Sequence, residues 1–500
     1  CAETAKQKLL KRVGGLHFGL CVLGPGCPCP QPLTMGDVRS QVLLRGLLGG
    51  VLAGAAPAFA GPLLMVPALA LLWSVATRPR VSALWGLLAV LISHRWLLAL
   101  HPLTWMGIPA SLSLPIAVGV WLICGGAAAL LLLLWSALAR WCFSSQFGSG
   151  PAAGAVLLSV LWAAAELLLE GSPLFWIGLG GSVLPLDRPL AGLARWLGSG
   201  GLAVLQLLWG WGLWQVARRG GQGWPLWVVS LVLAHGLGAQ LLAAPDATGM
   251  LRLGVWQPAI PTREKFTPER QQQVRQQLAE SLQAAESLGV EALVAPEGTL
   301  PSHWSPPEDE LPLPLLSGGF RWVRGQQRSS LLLARPEQPR PQPLLDKHRL
   351  VPLGEWLPPL PPGFTQGLSA VGGLEAGASS RYSGTEFGPV GVAICYELSN
   401  GRALAAATAA GAEWLLTIAN LDPYPDQLQR QFLALAQLRA IESGRDLLSV
   451  GNTGPTALVR ADGVVQRLLP SGEAGVASAD LHRRTRKPAY VQLMGQTPSR

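Results

Sequence analysis

Cys395 is the sole cysteine between residues 246 and 500 of this 500-residue chain. It follows the apolar run Pro389-Val-Gly-Val-Ala-Ile394, which predicts a buried strand with a thiol at its exit. Two upstream positions carry ionisable groups in comparable settings. Glu297 ends Ala292-Leu-Val-Ala-Pro-Glu, and Lys347 sits within Leu344-Leu-Asp-Lys-His-Arg-Leu-Val-Pro-Leu-Gly-Glu355. A thiol is only slightly ionised near neutrality, and a neighbouring ammonium or base raises its nucleophilic fraction. A carboxylate half-buried by its sheet can shuttle the proton, and a lysine can hold the oxyanion of a tetrahedral intermediate. Each residue alone has a plainer reading: inert packing for the cysteine, a turn for Pro-Glu-Gly and solvated surface for the lysine. The set of three carries the interest, not any one member.

The elements that must position them follow from periodicity. Strands are predicted at Leu251–Gln257, Val290–Pro296, Ser329–Arg335, Val390–Ile394, Trp414–Ala419 and Leu447–Val450. Helices are predicted at Pro268–Leu288, Arg402–Ala410 and Asp426–Ser443. In the first helix Val274, Leu278, Leu282 and Ala285 form one apolar stripe. Alternation of near-continuous apolar strands with amphipathic helices predicts a layered α/β domain whose strands are covered on both faces. Segments 301–318 and 352–378, rich in Pro and Gly, read as long loops.

The rest of the chain is different in kind. Hydrophobic residues make up 49% and charged residues only 13%, against about a quarter charged in soluble proteins. The deficit is concentrated in residues 41–244. The uncharged run Ser111–Ala139 exceeds the roughly 20 residues that a spanning helix needs. Further apolar runs lie near 81–100, 152–170, 199–217 and 224–243. The run 46–77 is interrupted at Gly61-Pro62 and reads as two short helices, giving about seven spans. With the N-terminus inside, Arg39, Arg45, Arg78, Arg80, Arg140, Arg218 and Arg219 all fall on the cytoplasmic side, and residue 245 onward lies outside. His94, Arg95, Glu166, Glu170 and His235 lie mostly near predicted span ends, unlike the paired mid-membrane charges of a transporter. The apolar segment 171–198 is expected at the outer interface, as packing or as a lipid-facing lid.

The remaining features exclude more than they assert. The net charge of +9 gathers in short segments between apolar runs and near the termini, which fits membrane topology and not nucleic-acid binding. Seven cysteines form no disulfide framework, and Cys27-Pro-Cys29 lacks the spacing of a metal site. No metal or cofactor is expected. Residues 1–40 read as a leader, with Met35 as the expected true start and the preceding residues outside the fold. Domains are therefore expected at 41–244 (membrane) and 245–482 (catalytic), with a basic tail at 483–500.

The order Glu–Lys–Cys, with Ala295-Pro-Glu-Gly298, Asp346-Lys-His-Arg-Leu-Val-Pro-Leu-Gly-Glu355 and Ile394-Cys-Tyr-Glu397, resembles the nitrilase, or carbon–nitrogen hydrolase, superfamily. A domain of that type placed after several spans is similar to one family in particular, the apolipoprotein N-acyltransferases of bacteria. The likeness runs from about Met35 to the C-terminus. It implies an αββα sandwich beside a multi-span helical bundle in the inner (plasma) membrane, with the catalytic domain on the periplasmic side. It also implies Glu297 as general base, Lys347 as oxyanion stabiliser and Cys395 as nucleophile. Glu355 would be a supporting carboxylate, with Tyr396 and Glu397 lining the site. The implied reaction moves an acyl chain from a membrane phospholipid, through a cysteine thioester, to the α-amino group of an S-diacylglyceryl-cysteine apolipoprotein. A monomer working against the lipid bilayer suffices. The alternative is a membrane-tethered amidase or nitrilase that hydrolyses a C–N substrate through the same thioester.

Departures from the family pattern are local. Ala419-Asn-Leu-Asp-Pro-Tyr424 lacks the Trp-Phe pair expected after the strand following the cysteine. Phe266 is the aromatic nearest to a tryptophan expected after the first strand. The residues to Arg500 hold no apolar run of the kind that ends the family's chains. Arg439-Ala-Ile-Glu442 fits.

Overall fold

The computed structural model describes residues 35–495 apart from 60, 107, 145–149, 173, 174, 244, 245, 263–267, 306–310, 337, 353 and 357–372. The leader, Phe266 and much of the expected 352–378 loop lie outside the described residues.

The chain divides into two compact units, residues 1–93, 124–162 and 204–235 in one and 94–123, 163–203 and 236–500 in the other. Packing therefore divides the chain differently from hydropathy, which put the boundary at 244. The reason is aromatic: Trp176 belongs to the main core of the second unit and Trp96 packs against it. Segment 171–198 is correspondingly built in, with Leu184 and Leu190 fully covered.

Helices occupy each expected apolar stretch: α1 Met35–Phe59, α2 Pro62–Ser74, α3 Pro79–Ser93, α4 Ala110–Cys142, α5 Gly150–Leu169, α6 Ala194–Arg218 and α7 Trp224–Leu241. By length and composition α4, α5 and α7 are long and apolar enough to cross a membrane, while α2 and α3 are shorter apolar helices. The expected 81–100 span is not one helix. The α-helix stops at Ser93 and a 3-10 helix follows over Arg95–Leu100, where Arg95 Nε donates to Gln427 Oε1 at 2.6 Å. An arginine paired there draws the chain out of the spanning run.

Inside the first unit, close approach replaces the missing hydrophobic drive between apolar helices. A Cβ on Gly50 would stand 2.7 Å from the Trp85 carbonyl, and one on Gly54 2.8 Å from that of Ala89, so α1 lies directly against α3. Indole N–H groups find carbonyls across helices, Trp73 to Leu207 at 2.8 Å and Trp85 to Ala68 at 3.2 Å.

The second unit holds two six-stranded sheets, ordered β12-β1-β2-β3-β4-β5 and β11-β10-β9-β8-β7-β6. The strands of the first are β1 Gly249–Gln257, β2 Ala292–Leu300, β3 Leu315–Val323, β4 Gln326–Ala334, β5 Gln342–Asp346 and β12 Gly475–Arg483. Those of the second are β6 Tyr382–Ser383, β7 Val390–Ile394, β8 Trp414–Ala419, β9 Leu447–Gly451, β10 Ala457–Val459 and β11 Val465–Arg467. Within them β1, β2 and β3 run parallel, as do β7, β8 and β9, with antiparallel strands at the margins.

Leu253, Val294 and Leu331 of the first sheet share one core with Val392, Leu416 and Leu448 of the second, so the inner faces pack together. Helix α8 (Pro268–Ser287) lays its predicted stripe on the other face of the first sheet. Helices α9 (Gly401–Ala409) and α10 (Asp426–Ser443) pack with the second sheet, and α11 (Ala489–Gly495) adds Tyr490 and Val491 against α9. This is an αββα sandwich. The expected loop at 301–318 is in part strand β3, where Gly318, read as a loop glycine, is a glycine of close approach.

Candidate active site

Glu297 reaches the site through a distortion of β2. The β2–β3 register shifts between Ala295 and Leu300, and Gly298 has φ 64°, a conformation glycine adopts without penalty. The strand continues past the expected exit, so Glu297 sits on a bulge inside it. Gly318 faces that bulge, where a Cβ would lie 2.4 Å from the Glu297 Cα. Only a glycine lets β3 pass so close.

Lys347 follows the end of β5. Its N–H donates to the Ser329 carbonyl at 2.8 Å, and Gly377 N–H donates to its own carbonyl at 2.8 Å. Cys395 follows the end of β7 with φ 53°, a left-handed conformation that costs a residue with a Cβ about 1 kcal/mol. The sharp turn, continued by the 3-10 helix Cys395–Ser399, aims the side chain away from the strand line. Glu355 closes a short turn in which its N–H donates to the Val351 carbonyl and its Oε2 accepts from Val351 N–H, both at 2.9 Å.

The four side chains converge. Lys347 Nζ donates to Glu297 Oε1 at 2.8 Å and to Glu355 Oε1 at 2.7 Å, and the residue is only 1% exposed. Glu297 Oε2 accepts from Asn420 N–H at 3.2 Å, and the Cys395 thiol lies close enough to Glu297 and Lys347 to feel both charges. Burial alone would favour a neutral lysine, but the Glu297 and Glu355 charges outweigh it and hold the Lys347 pKa well above the ordinary range. Burial and the Glu297 charge push the Cys395 thiol well above its usual value, against the pull of Lys347. Burial also raises Glu355, opposed by Lys347. At rest the sulfur is therefore a thiol beside a carboxylate. Two of the three Lys347 donors are taken and one is left.

Tyr396 and Glu397, expected to line the site, hold its frame. Glu397 Oε1 accepts from the N–H groups of His348 (2.8 Å) and Arg349 (3.1 Å), Oε2 accepts from Ile394 N–H (2.8 Å), and Arg381 NH1 donates to both oxygens. One buried carboxylate thus locks the cysteine turn to the lysine segment. The Tyr396 hydroxyl donates to the Phe175 carbonyl. Its ring stacks on Trp176 at 6.0 Å beneath the Arg349 guanidinium at 4.3 Å.

Sequence reasoning missed Arg381, Asn420, Trp96 and Tyr424. Trp96 meets Tyr424 edge-on at 5.6 Å. Burial, and next the Cys395 charge, raise the Tyr424 phenol, so this tyrosine sits beside the cluster. The segment lacking Trp and Phe thus still supplies an aromatic, and no spacing rule points to it. Among the described residues no group of three or more His, Cys, Asp or Glu is placed to hold a metal ion.

Comparison with known proteins gives a consistent picture. Residues 328–490 match the family model described as carbon-nitrogen hydrolase, a span containing Lys347 and Cys395 but not Glu297. An apolipoprotein N-acyltransferase of Parasynechococcus marenigrum (strain WH8102) is 68% identical over 93% of this chain and 100% of the relative. One from Prochlorococcus marinus (strain MIT 9313) is 56% identical over 90% of this chain and 92% of the relative. A solved carbon-nitrogen hydrolase from Helicobacter pylori G27 is 14% identical, covering 46% of this chain and 89% of its own, with a TM-score of 0.34.

Proposed function

Since the chain belongs to the apolipoprotein N-acyltransferase family, we propose that it transfers an acyl chain from a membrane phospholipid to the amino terminus of a diacylglyceryl apolipoprotein, with Cys395 as the covalent carrier. Glu297 accepts the Sγ proton as the sulfur attacks the ester carbonyl. The oxyanion forms beside the Lys347 ammonium, whose remaining N–H is available to it. The carbon–oxygen bond then breaks, Glu297 returns the proton to the departing glycerol oxygen, and a lysophospholipid leaves behind a thioester. The α-amino group of the apolipoprotein next attacks the thioester carbonyl. Glu297 takes the proton lost by nitrogen and gives it to the departing sulfur, which restores the thiol.

The observation that carries this reading is the buried contact of Lys347 with both Glu297 and Glu355, with the Cys395 thiol near enough to feel all three charges. Nucleophile, base and electrophilic cation occupy one cluster, as covalent acyl transfer requires. All three come from one chain, so no second copy is needed. Glu355 fixes the ammonium from its other side. The membrane setting follows from the helices and the family. We place the protein in the bacterial inner membrane with the second unit on the periplasmic side, where lipid donor and lipoprotein acceptor meet.

The test is trapping. Full-length protein incubated with acyl-labelled phospholipid and no acceptor should carry label on Cys395 that hydroxylamine removes. Added diacylglyceryl peptide should then receive the label as an amide. Absence of label on Cys395 would overturn the scheme. Release of the chain to water despite the peptide would favour a hydrolase instead.

A further inference from the structure

A cavity of 920 Å³ opens beside α9 in the second unit, and none of Glu297, Lys347 or Cys395 lines it. One part of its wall is apolar: Leu167 and Leu168 at the end of α5, Ala403, Ala406 and Ala407 along α9, and Met494 from α11. The other part carries the guanidiniums of Arg349, Arg381 and Arg402 beside the His348 imidazole. Three guanidiniums face a single lining carboxylate, Glu397, which is occupied by Arg381 and three backbone N–H groups. Arg381 and Arg349 are themselves committed to protein acceptors.

One lining group retains donors for a ligand. Arg402 is exposed, and among the described residues no side-chain hydrogen bond engages its guanidinium, whose charge acts on the buried Glu170 carboxylate. His348 is also exposed, but its Nδ1–H donates to the Gly377 carbonyl at 2.8 Å, which leaves Nε2 as an acceptor in the neutral ring. The apolar side leads to lipid. Leu168 is 76% exposed at the end of α5, one of the helices long and apolar enough to span. Size, a cationic rim and an apolar floor reaching a spanning helix together match an amphiphile. The excess positive charge selects an anionic phosphate headgroup over a zwitterionic one, whose ammonium would find no free carboxylate.

We propose that this cavity binds an anionic phospholipid of the surrounding membrane as a site separate from Cys395, with Arg402 on its phosphate and Leu167, Leu168 and Met494 along its glycerol and proximal acyl carbons. Occupancy would hold the α9 side of the second unit against the leaflet. The inference needs the membrane setting but not the acyl-transfer chemistry.

Native mass spectrometry of the full chain, released from nanodiscs of equal phosphatidylglycerol and phosphatidylcholine, tests it. Phosphatidylglycerol should be retained about tenfold over phosphatidylcholine, consistent with a charge-assisted contact. Arg402→Glu should abolish that preference, and Arg402→Gln, the milder change, should reduce it about threefold. Thioester formation on Cys395 from phosphatidylcholine should stay within twofold of the unaltered chain in both variants. Equal retention of the two lipids, or an undiminished preference in both variants, would overturn the site. Displacement of the lipid by millimolar glycerol phosphate would show a soluble-phosphate site instead. A parallel loss of thioester would make the cavity part of the donor path and end the claim of separateness. Retained preference with no thioester in any sample would support this site while removing the acyl-transfer reading.

Discussion

Opposite responses are expected from one substitution at the catalytic cluster. After burial, the Glu297 charge is the largest influence that keeps the Cys395 thiol protonated. Glu297→Gln removes that charge and leaves Lys347 in place, so the thiol pKa falls and more thiolate exists at a given pH. Iodoacetamide should therefore alkylate Cys395 faster at pH 8 in the variant, while acyl transfer drops by about 10²-fold or more for want of a base. Slower alkylation would contradict the electrostatics described here. In the unaltered chain the alkylation rate should still be climbing at pH 9, because the thiol titrates above its ordinary range. Lys347→Met should cost about 3–5 kcal/mol, since it strands two buried carboxylates that now face each other. Unfolding in detergent followed by tryptophan fluorescence measures this, and an unchanged transition would mean that water replaces the ammonium.

Elements decide how much of this could be read in advance. Strands β7 and β8 coincide with their predicted limits because they are buried along their length, and helix α10 does so because Pro425 precedes it and Gly444 ends it in a left-handed conformation. Strands β3, β5, β6, β10, β11 and β12 were not legible. They carry Gly, Ser, Asp and Arg, lie toward sheet margins or form close contacts, and lack the β-branched runs that mark a central strand. The order and spacing of Glu297, Lys347 and Cys395 were legible because each adjoins or lies within a strand. The frame was not: Arg381, Asn420 and Trp176 come from segments whose meeting depends on tertiary packing alone. The same dependence shows in Gly192 and Gly238, where a Cβ on either would stand 2.0 Å from a backbone carbonyl of the other segment. Gly238→Ala should cost about 1–3 kcal/mol by forcing α7 away from residues 189–192. Thermal unfolding of the purified chain provides the check, and no shift would show that the helix moves freely.

At the scale of the whole molecule, apolar helices and an αββα sandwich belong to one chain, and the arginines between the helices carry the expectation of their sidedness. Arginines between the apolar runs predict that the segment after residue 245 emerges outside the cytoplasm. A phosphatase reporter fused after residue 245 should be active and a cytoplasmic fluorescent reporter dark, and the reverse pattern would overturn the orientation. Loops that follow the helix ends are built into the sandwich through Trp96 and Trp176. The second unit therefore already includes material from the apolar half of the sequence. Separating the chain at 244 should consequently give a C-terminal fragment that is insoluble, as judged by sedimentation after expression. A soluble, folded fragment would show those aromatics to be dispensable.

The double anchoring of Lys347 has a further chemical consequence. In the proposed mechanism Cys395 carries a thioester, which acylates any unprotonated amine within reach, and Lys347 carries an amine beside the sulfur. Held as an ammonium by a carboxylate on each side, that nitrogen has no lone pair to offer, so the incoming protein amine competes with no internal rival. Self-inactivation is thus prevented by the same two contacts that keep the positive charge in place.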